Sequence, residues 1–214
     1  ADIIDVGGES TRPGALTIPI SEEIKRVEPV INMISVNSRI PISVDTRKSK
    51  VASTAHMAGA SMVNDVSGFT FDPDLLPYCS KHKLPICVMH MRGLPENMQN
   101  NPNYENILIE VFDFLESQIS TLVQAGISRD HIIADVGIGF GKNLAHNLAL
   151  IKNISLFHGL GVPLLLGVSR KSIISNVAKV KNPNDRVHGS ISLAISALAQ
   201  GVQLFRVHDV AETK

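Results

Sequence analysis

The chain has 214 residues, 44 % hydrophobic and 19 % charged, with Lys plus Arg balancing Asp plus Glu at 20 each. Zero formal charge, 4 % aromatic residues and no Trp argue against nucleic acid or an anionic membrane as partner, since neither a basic field nor a stacking surface is on offer. No apolar run approaches the roughly 20 residues that span a bilayer, and no basic segment leads into an apolar core at the start. Cys79 and Cys87, with no CxxC, read as reduced thiols in a cytoplasmic protein.

Along the chain, short β-branched runs alternate with longer amphipathic stretches. A strand over 2–7 comes first, and its entry without an initiating Met suggests a fragment or a trimmed chain. It leads into Gly7-Gly8-Glu9-Ser10-Thr11-Arg12-Pro13-Gly14, a loop by its Gly and Pro content. Read alone, that loop is either a plain surface turn or a hydroxyl and a guanidinium held over a site. A helix over 21–36 follows, with Ser21 ahead of Glu22 and Glu23 as its start signal. The strand over 40–45 ends in Asp45-Thr46-Arg47, where Asp45 reads equally as a helix N-cap. A helix over 48–58 stops at Gly59, and the strand over 62–66 carries Asn64-Asp65-Val66-Ser67-Gly68. After Asp72-Pro73 comes a helix over 73–82, then a strand over 84–89 closing on Val88-Met89-His90-Met91, whose methionines read as core filler or as ligand contacts.

A helix over 104–125 stops at Gly126, and the strand over 131–136 delivers Asp135 ahead of Gly137-Ile138-Gly139-Phe140-Gly141-Lys142. That run is no Walker loop, because Val136 stands where its first Gly belongs and Asn143 where Ser or Thr belongs. Its glycines read as a tight turn beneath a flat ligand. A helix over 145–156 and a strand over 163–168 come next. Gly167-Val168-Ser169-Arg170-Lys171-Ser172 then opens a helix over 171–178, where Ser169, two cations and backbone N–H groups would seat an anion. The last helix, 185–200, opens at Asp185 and stops at Gly201. In the final strand, 204–208, Arg206 and His208 share one face and read as anion ligands rather than packing.

Seven βα repeats without a linker predict one continuous α/β domain over 1–214. An open doubly wound sheet also accommodates seven strands. The polar groups near the strand ends favour a barrel: Asp5, Asp45, Asn64 with Asp65, His90, Asp135, Ser169, and Arg206 with His208. In a (β/α)8 TIM barrel these converge on one mouth, whereas along an open sheet only those near the switch point meet. The expected fold is therefore that barrel, with seven strands visible and the first βα unit missing.

The ordered set GGESTRPG, SVDTRKS, VNDVSG, VMHM, GIGFGK, GVSRKS and RVHDVAET resembles the dihydropteroate synthase family over essentially the whole chain. The resemblance implies a transferase of folate biosynthesis, of the class sulfonamides target. It would join 4-aminobenzoate to (7,8-dihydropterin-6-yl)methyl diphosphate, giving 7,8-dihydropteroate and pyrophosphate. It implies pterin binding by Asp45, Asn64, Met89, Asp135, Phe140 and Lys171, and aminobenzoate binding by Ser169 and by Thr11, Arg12 and Pro13 of a mobile, water-excluding loop. Arg206 and His208 are the implied diphosphate ligands, working with Mg²⁺, and Asp45, Lys171, Arg206 and His208 the implied catalytic set. A homodimer acting on small molecules, without nucleic acid or membrane, completes the picture.

Two departures stand out. Val136 replaces the family's usual Pro, and nothing matches the family's Asn-x-Thr-Pro-Asp-Ser-Phe segment, so no metal ligand is visible. A barrel with that gap has two unpaired edges and is expected to be unstable or to aggregate. Two alternatives remain at this point. One is a pterin-binding methyltransfer module, against which the STRPG and SRK motifs argue; the other is a truncated, non-catalytic relic of the synthase.

Overall fold

The computed structural model describes residues 1–214. Seven parallel strands are hydrogen-bonded in sequence order: β1 (Ile4–Gly7), β2 (Ile42–Asp45), β3 (Met62–Asp65), β4 (Ile86–Met89), β5 (Ile132–Asp135), β6 (Leu164–Leu166) and β7 (Leu204–Phe205). The helices are α1 (Ile20–Asn37), α2 (Ser49–Met57), α3 (Leu75–His82), α4 (Ile107–Gln124), α5 (Leu144–Lys152), α6 (Ser172–Ala178), α7 (Val187–Leu198) and α8 (Val210–Thr213). The sheet curls as the barrel reading expects. Arg206, just past β7, reaches Asp5 of β1 at 2.6 Å and Asp45 of β2 at 2.8 Å, so the two outer strands face one another across the mouth. None of the helices is long and apolar enough to cross a membrane.

Strand periodicity sorts the side chains onto two faces. Ile42, Val44, Val63, Ile86, Val88, Ile132, Ala134, Leu164 and Leu166 join helix residues such as Val27, Ile31, Val51, Leu75 and Leu115 in one buried apolar cluster. That shell lies between sheet and helices. Burying each Ile or Leu there stabilises by about 1.5–3 kcal/mol. The alternate residues point inside the curl. Register aligns Asp45, Asn64, Cys87 and Ile133 in one layer, with Met89 and Asp135 paired one step nearer the strand ends.

Helix α4 shows how local sequence builds the shell. Ile107, Val111, Leu115, Ile119 and Leu122 recur at helical spacing and are buried, while the Asn106 side chain caps the start by accepting from the N–H groups of Leu108 and Ile109. Gly126 ends it at φ +97°, a conformation that a Cβ disfavours.

Several boundaries differ from the sequence reading. Helix α1 begins at Ile20 after Pro19, with Ser21 inside it and uninvolved in capping. Asp72 does not cap α3; its carboxylate accepts from the N–H groups of Asp74 and of Ser49 at the start of α2. The helix expected from 104 starts at Ile107. The 145–156 stretch divides into α5 and a 3₁₀ segment, Ile154–Leu160, and Asp185 falls in a 3₁₀ turn before α7. Strand β7 spans only Leu204–Phe205, although the Arg206 N–H still donates to Leu166 O at 3.1 Å.

Candidate active site

The left side of the mouth is built around one guanidinium. Arg206 donates from Nε to Asp5 Oδ2 at 2.6 Å and from Nη2 to Asp45 Oδ2 at 2.8 Å, and Asn64 Nδ2 donates to Asp5 Oδ2 at 3.4 Å. Arg206 itself stays 49 % exposed, so its charge keeps part of its hydration. Burial and then the neighbouring Asp5 charge push the Asp45 carboxyl up to about 7, against the pull of Arg206. Asn64 faces inward with this group. Asp65, also expected at the mouth, points to the helix side, where it accepts from Ser67 N and Oγ and from Phe69 N.

Asp135 and Lys171 form the opposite side. A Cβ placed on Gly167 would lie 4.0 Å from both Asp135 Oδ2 and Lys171 Nζ and 3.8 Å from Arg206 Cβ. Glycine thus leaves open the place where these groups converge. Asp135 Oδ1 accepts from Gly137 N at 2.8 Å, which leaves Oδ2 for a ligand, and burial raises this carboxyl above its ordinary range. Lys171 Nζ donates to Ile138 O at 2.5 Å and stands 4.8 Å over the Phe140 ring. Burial outweighs the Asp135 charge and brings its ammonium down to about 8. Met89, buried and in register with Asp135, lines the same interior.

The loop that presents Phe140 is braced at every turn. Lys142 Nζ lies 2.8 Å from His90 Nδ1 and donates to the carbonyls of Gly137 and Phe140 at 2.9 and 3.0 Å. Gly139 donates to Asn147 Oδ1 at 2.7 Å and accepts from Gln99, while Tyr104 Oη donates to Gly141 O at 2.8 Å. Sequence reading missed Lys142, Asn147 and Tyr104; the only signal was a lysine after a Gly-rich run that failed the phosphate-loop pattern. His90 does not join the mouth. Its ring turns to Lys142 and packs edge-on against Phe114 of α4, and burial drives its imidazole down to about 2.

Past β6, Ser169 Oγ accepts from His208 N at 3.2 Å and lies 3.0 Å from His208 Nδ1. The expected anion seat loses one of its cations: Arg170, at φ +59°, is held by the Asp209 carboxylate and donates to Asn184 Oδ1 at 2.6 Å. Helix α6 is also only seven residues long, a weak dipole. Ser169, His208 and Lys171 are what remain. Burial, then Arg170, hold His208 below its usual pKa, with a smaller push from Arg12 of the loop after β1. Thr11 is half-buried there, Arg12 and Pro13 are exposed, and Gly14 N donates across the mouth to Pro95 O at 2.8 Å.

The donor set does not fit a resident divalent cation. No three His, Cys, Asp or Glu side chains come together to hold one, and the two adjoining carboxylates, Asp5 and Asp45, already share Arg206.

A curled sheet of seven parallel strands with polar side chains gathered past its strand ends is the architecture of a (β/α)-barrel enzyme. The chain belongs to the pterin binding enzyme family, whose profile matches residues 1–208, and its relatives place it among the dihydropteroate synthases. It is 43 % identical over 213 residues to the dihydropteroate synthase of Escherichia coli K12, covering 100 % of this chain and 75 % of that one. It superposes with a TM-score of 0.96, at 43 % identity, on the Yersinia pestis dihydropteroate synthase in a sulfonamide complex, covering 100 % and 77 % of the two chains. The Xanthomonas albilineans dihydropteroate synthase with 4-aminobenzoic acid is similar at a TM-score of 0.94 and 40 % identity, covering 100 % and 76 %.

Proposed function

We propose that this chain carries the dihydropteroate synthase reaction: the amine of 4-aminobenzoate attacks the methylene of (7,8-dihydropterin-6-yl)methyl diphosphate. A C–N bond forms, the C–O bond to the diphosphate breaks, pyrophosphate leaves with the bonding pair, and the amine gives up a proton to solvent. One observation carries the reading: Asp135 Oδ2 and Lys171 Nζ converge on the gap over Gly167. A carboxylate and an ammonium there match the ring N–H with its exocyclic amine, and the ring carbonyl, of a pterin. Asn64 would complete the polar edge, and Met89 and Phe140 would pack against the ring plane.

Asp45 would stabilise positive charge as the diphosphate departs. Arg206 and His208 would grip the diphosphate, and Ser169 would take the aminobenzoate carboxylate. Thr11, Arg12 and Pro13 would close over that substrate and keep out water that would trap the cation as an alcohol. Mg²⁺ would come with the diphosphate, on its oxygens, and neutralise part of their charge. The proposal includes one domain over 1–214, a cytoplasmic setting and a homodimer. Val177 on α6 and Ile195 and Leu198 on α7 support the dimer, being about 60 % exposed, an apolar surface that a partner would cover.

The sulfonamide and 4-aminobenzoic acid complexes of its relatives favour this reading over a methyltransfer module or a non-catalytic relic. Calorimetry with a pterin tests it. Lys171→Ala and Asp135→Ala should each abolish binding while circular dichroism stays native, and unchanged affinity in both variants would discard the site.

A further inference from the structure

The loop between β1 and α1 is tied at both ends to one buried ion-pair group. Entering the loop, Glu9 turns its carboxylate inward with only 5 % of the side chain exposed, where Oε1 accepts from Arg47 Nη2 at 2.5 Å and Oε2 from Lys48 Nζ at 2.7 Å. Leaving the loop, Ile18 donates its N–H to the same Glu9 Oε2 at 2.9 Å, and its carbonyl accepts from the same Lys48 Nζ at 2.8 Å. Lys48 is fixed in turn by Glu23 Oε2 of α1 at 2.7 Å, and Glu23 accepts from Thr46 Oγ1 at 2.6 Å. Arg26 of α1 donates to the Gly8 carbonyl at 3.0 Å.

Between these ties, residues 10–17 are nearly bare. Their backbone groups make two bonds inside the loop, Ala15 N to Arg12 O and a long one from Arg12 N to Ser10 Oγ at 3.4 Å, and one to another loop, Gly14 N to Pro95 O. A buried carboxylate with two buried cations is costly to desolvate and is retained only where its geometry is satisfied. Here Glu9 and Lys48 have their partners, while Arg47 bonds through Nη2 alone with Nε and Nη1 buried and unpaired; the Glu9–Lys48 bonds bring the two ends of the loop together at a fixed point.

We infer that Glu9 and Lys48 are positioning residues: they clamp the two ends of the loop so that Thr11, Arg12 and Pro13 open and close over the second substrate from a rigid base. Short, local unfolding is then confined to residues 10–17. Burial alone would raise the Glu9 carboxyl, but its bonds to Lys48 and Arg47 outweigh this and hold it low, so Glu9 stays ionised across the neutral range. The identity of what the loop covers rests on the synthase reading; the clamp does not.

Two arms test it. In the unaltered chain, hydrogen exchange should show the Ile18 amide protected and the Thr11 and Thr17 amides exchanging freely; an Ile18 amide as fast as Thr17 overturns the clamp. In Glu9→Gln and in Lys48→Met combined with Glu9→Gln, the KM for 4-aminobenzoate should rise about tenfold, with the KM for the pterin diphosphate within about twofold. Chymotrypsin should also cut faster at the exposed Leu16. Equal rises in both KM values, or no rise with unchanged cleavage, would show a merely structural group. If neither variant folds, the exchange arm decides alone. An unaltered chain that binds pterin but gives no turnover counts against the synthase reading and leaves the exchange and cleavage arms to judge the clamp.

Discussion

Replacing Gly137 by Ala puts the design of the pterin-side loop under a direct load. Gly137 sits at φ +69°, and an added Cβ would stand 1.9 Å from the His90 carbonyl oxygen. Left-handed backbone costs a non-glycine residue about 1–2 kcal/mol. Clearing the oxygen requires a displacement of more than about 1 Å in a packed strand end, an overpacking cost of about 1–3 kcal/mol. The expected loss is about 3 kcal/mol, or roughly 6–12 °C in Tm for a chain of this size. Gly139→Ala in the same loop is the control. Its φ is +86°, but its nearest neighbour, Lys171 Cδ, lies at 3.7 Å, so it should lose only about 1 kcal/mol. Urea denaturation of both variants measures the difference, which isolates the clash. Because Gly137 also holds Asp135 Oδ1, pterin affinity measured by calorimetry should fall about tenfold in Gly137→Ala. A Gly137→Ala protein no less stable than Gly139→Ala would refute the packing argument.

Two further outcomes follow from the same groups. Lys171 is charged below about 8 and Asp45 is ionised above about 7, so both charges coexist only between those values. The kcat/KM profile should accordingly be a narrow bell, with Lys171→Arg extending its alkaline limb; a flat profile from pH 6 to 9 would remove these residues from the mechanism. Lys142→Met should destabilise by about 2–4 kcal/mol, because the Gly137 and Phe140 carbonyls lose a buried donor; equilibrium denaturation with less than about 1 kcal/mol of change would contradict that.

The strands and their order were readable because each is short, apolar and followed by an amphipathic stretch, and the mouth was readable because strand ends must converge in a barrel. What escaped was pairing over long separations. Arg170 reads as a free cation beside Lys171 until Asp209, 39 positions on, is found to hold it. Nothing in the sequence pairs Glu9 with Arg47 and Lys48, 38 and 39 positions on, yet they are buried together. His90 and Asp65 share the strand-end signature of Asn64 and Asp135, but strand parity turns Asp65 toward the helices, and Lys142 draws His90 away. Capping was misread at Asp72 for a similar reason: a side chain that could cap the helix after it instead accepts from Ser49 N at the start of α2.

Along β4, Ile86 and Val88 belong to the apolar shell while Cys87 and Met89 look into the mouth. Adjacent codons therefore answer to unrelated demands, one to the folding equilibrium and the next to the ligand. A library that varies only every second position of a strand can retune recognition while the scaffold is left alone, and shifting the same library by one position does the reverse.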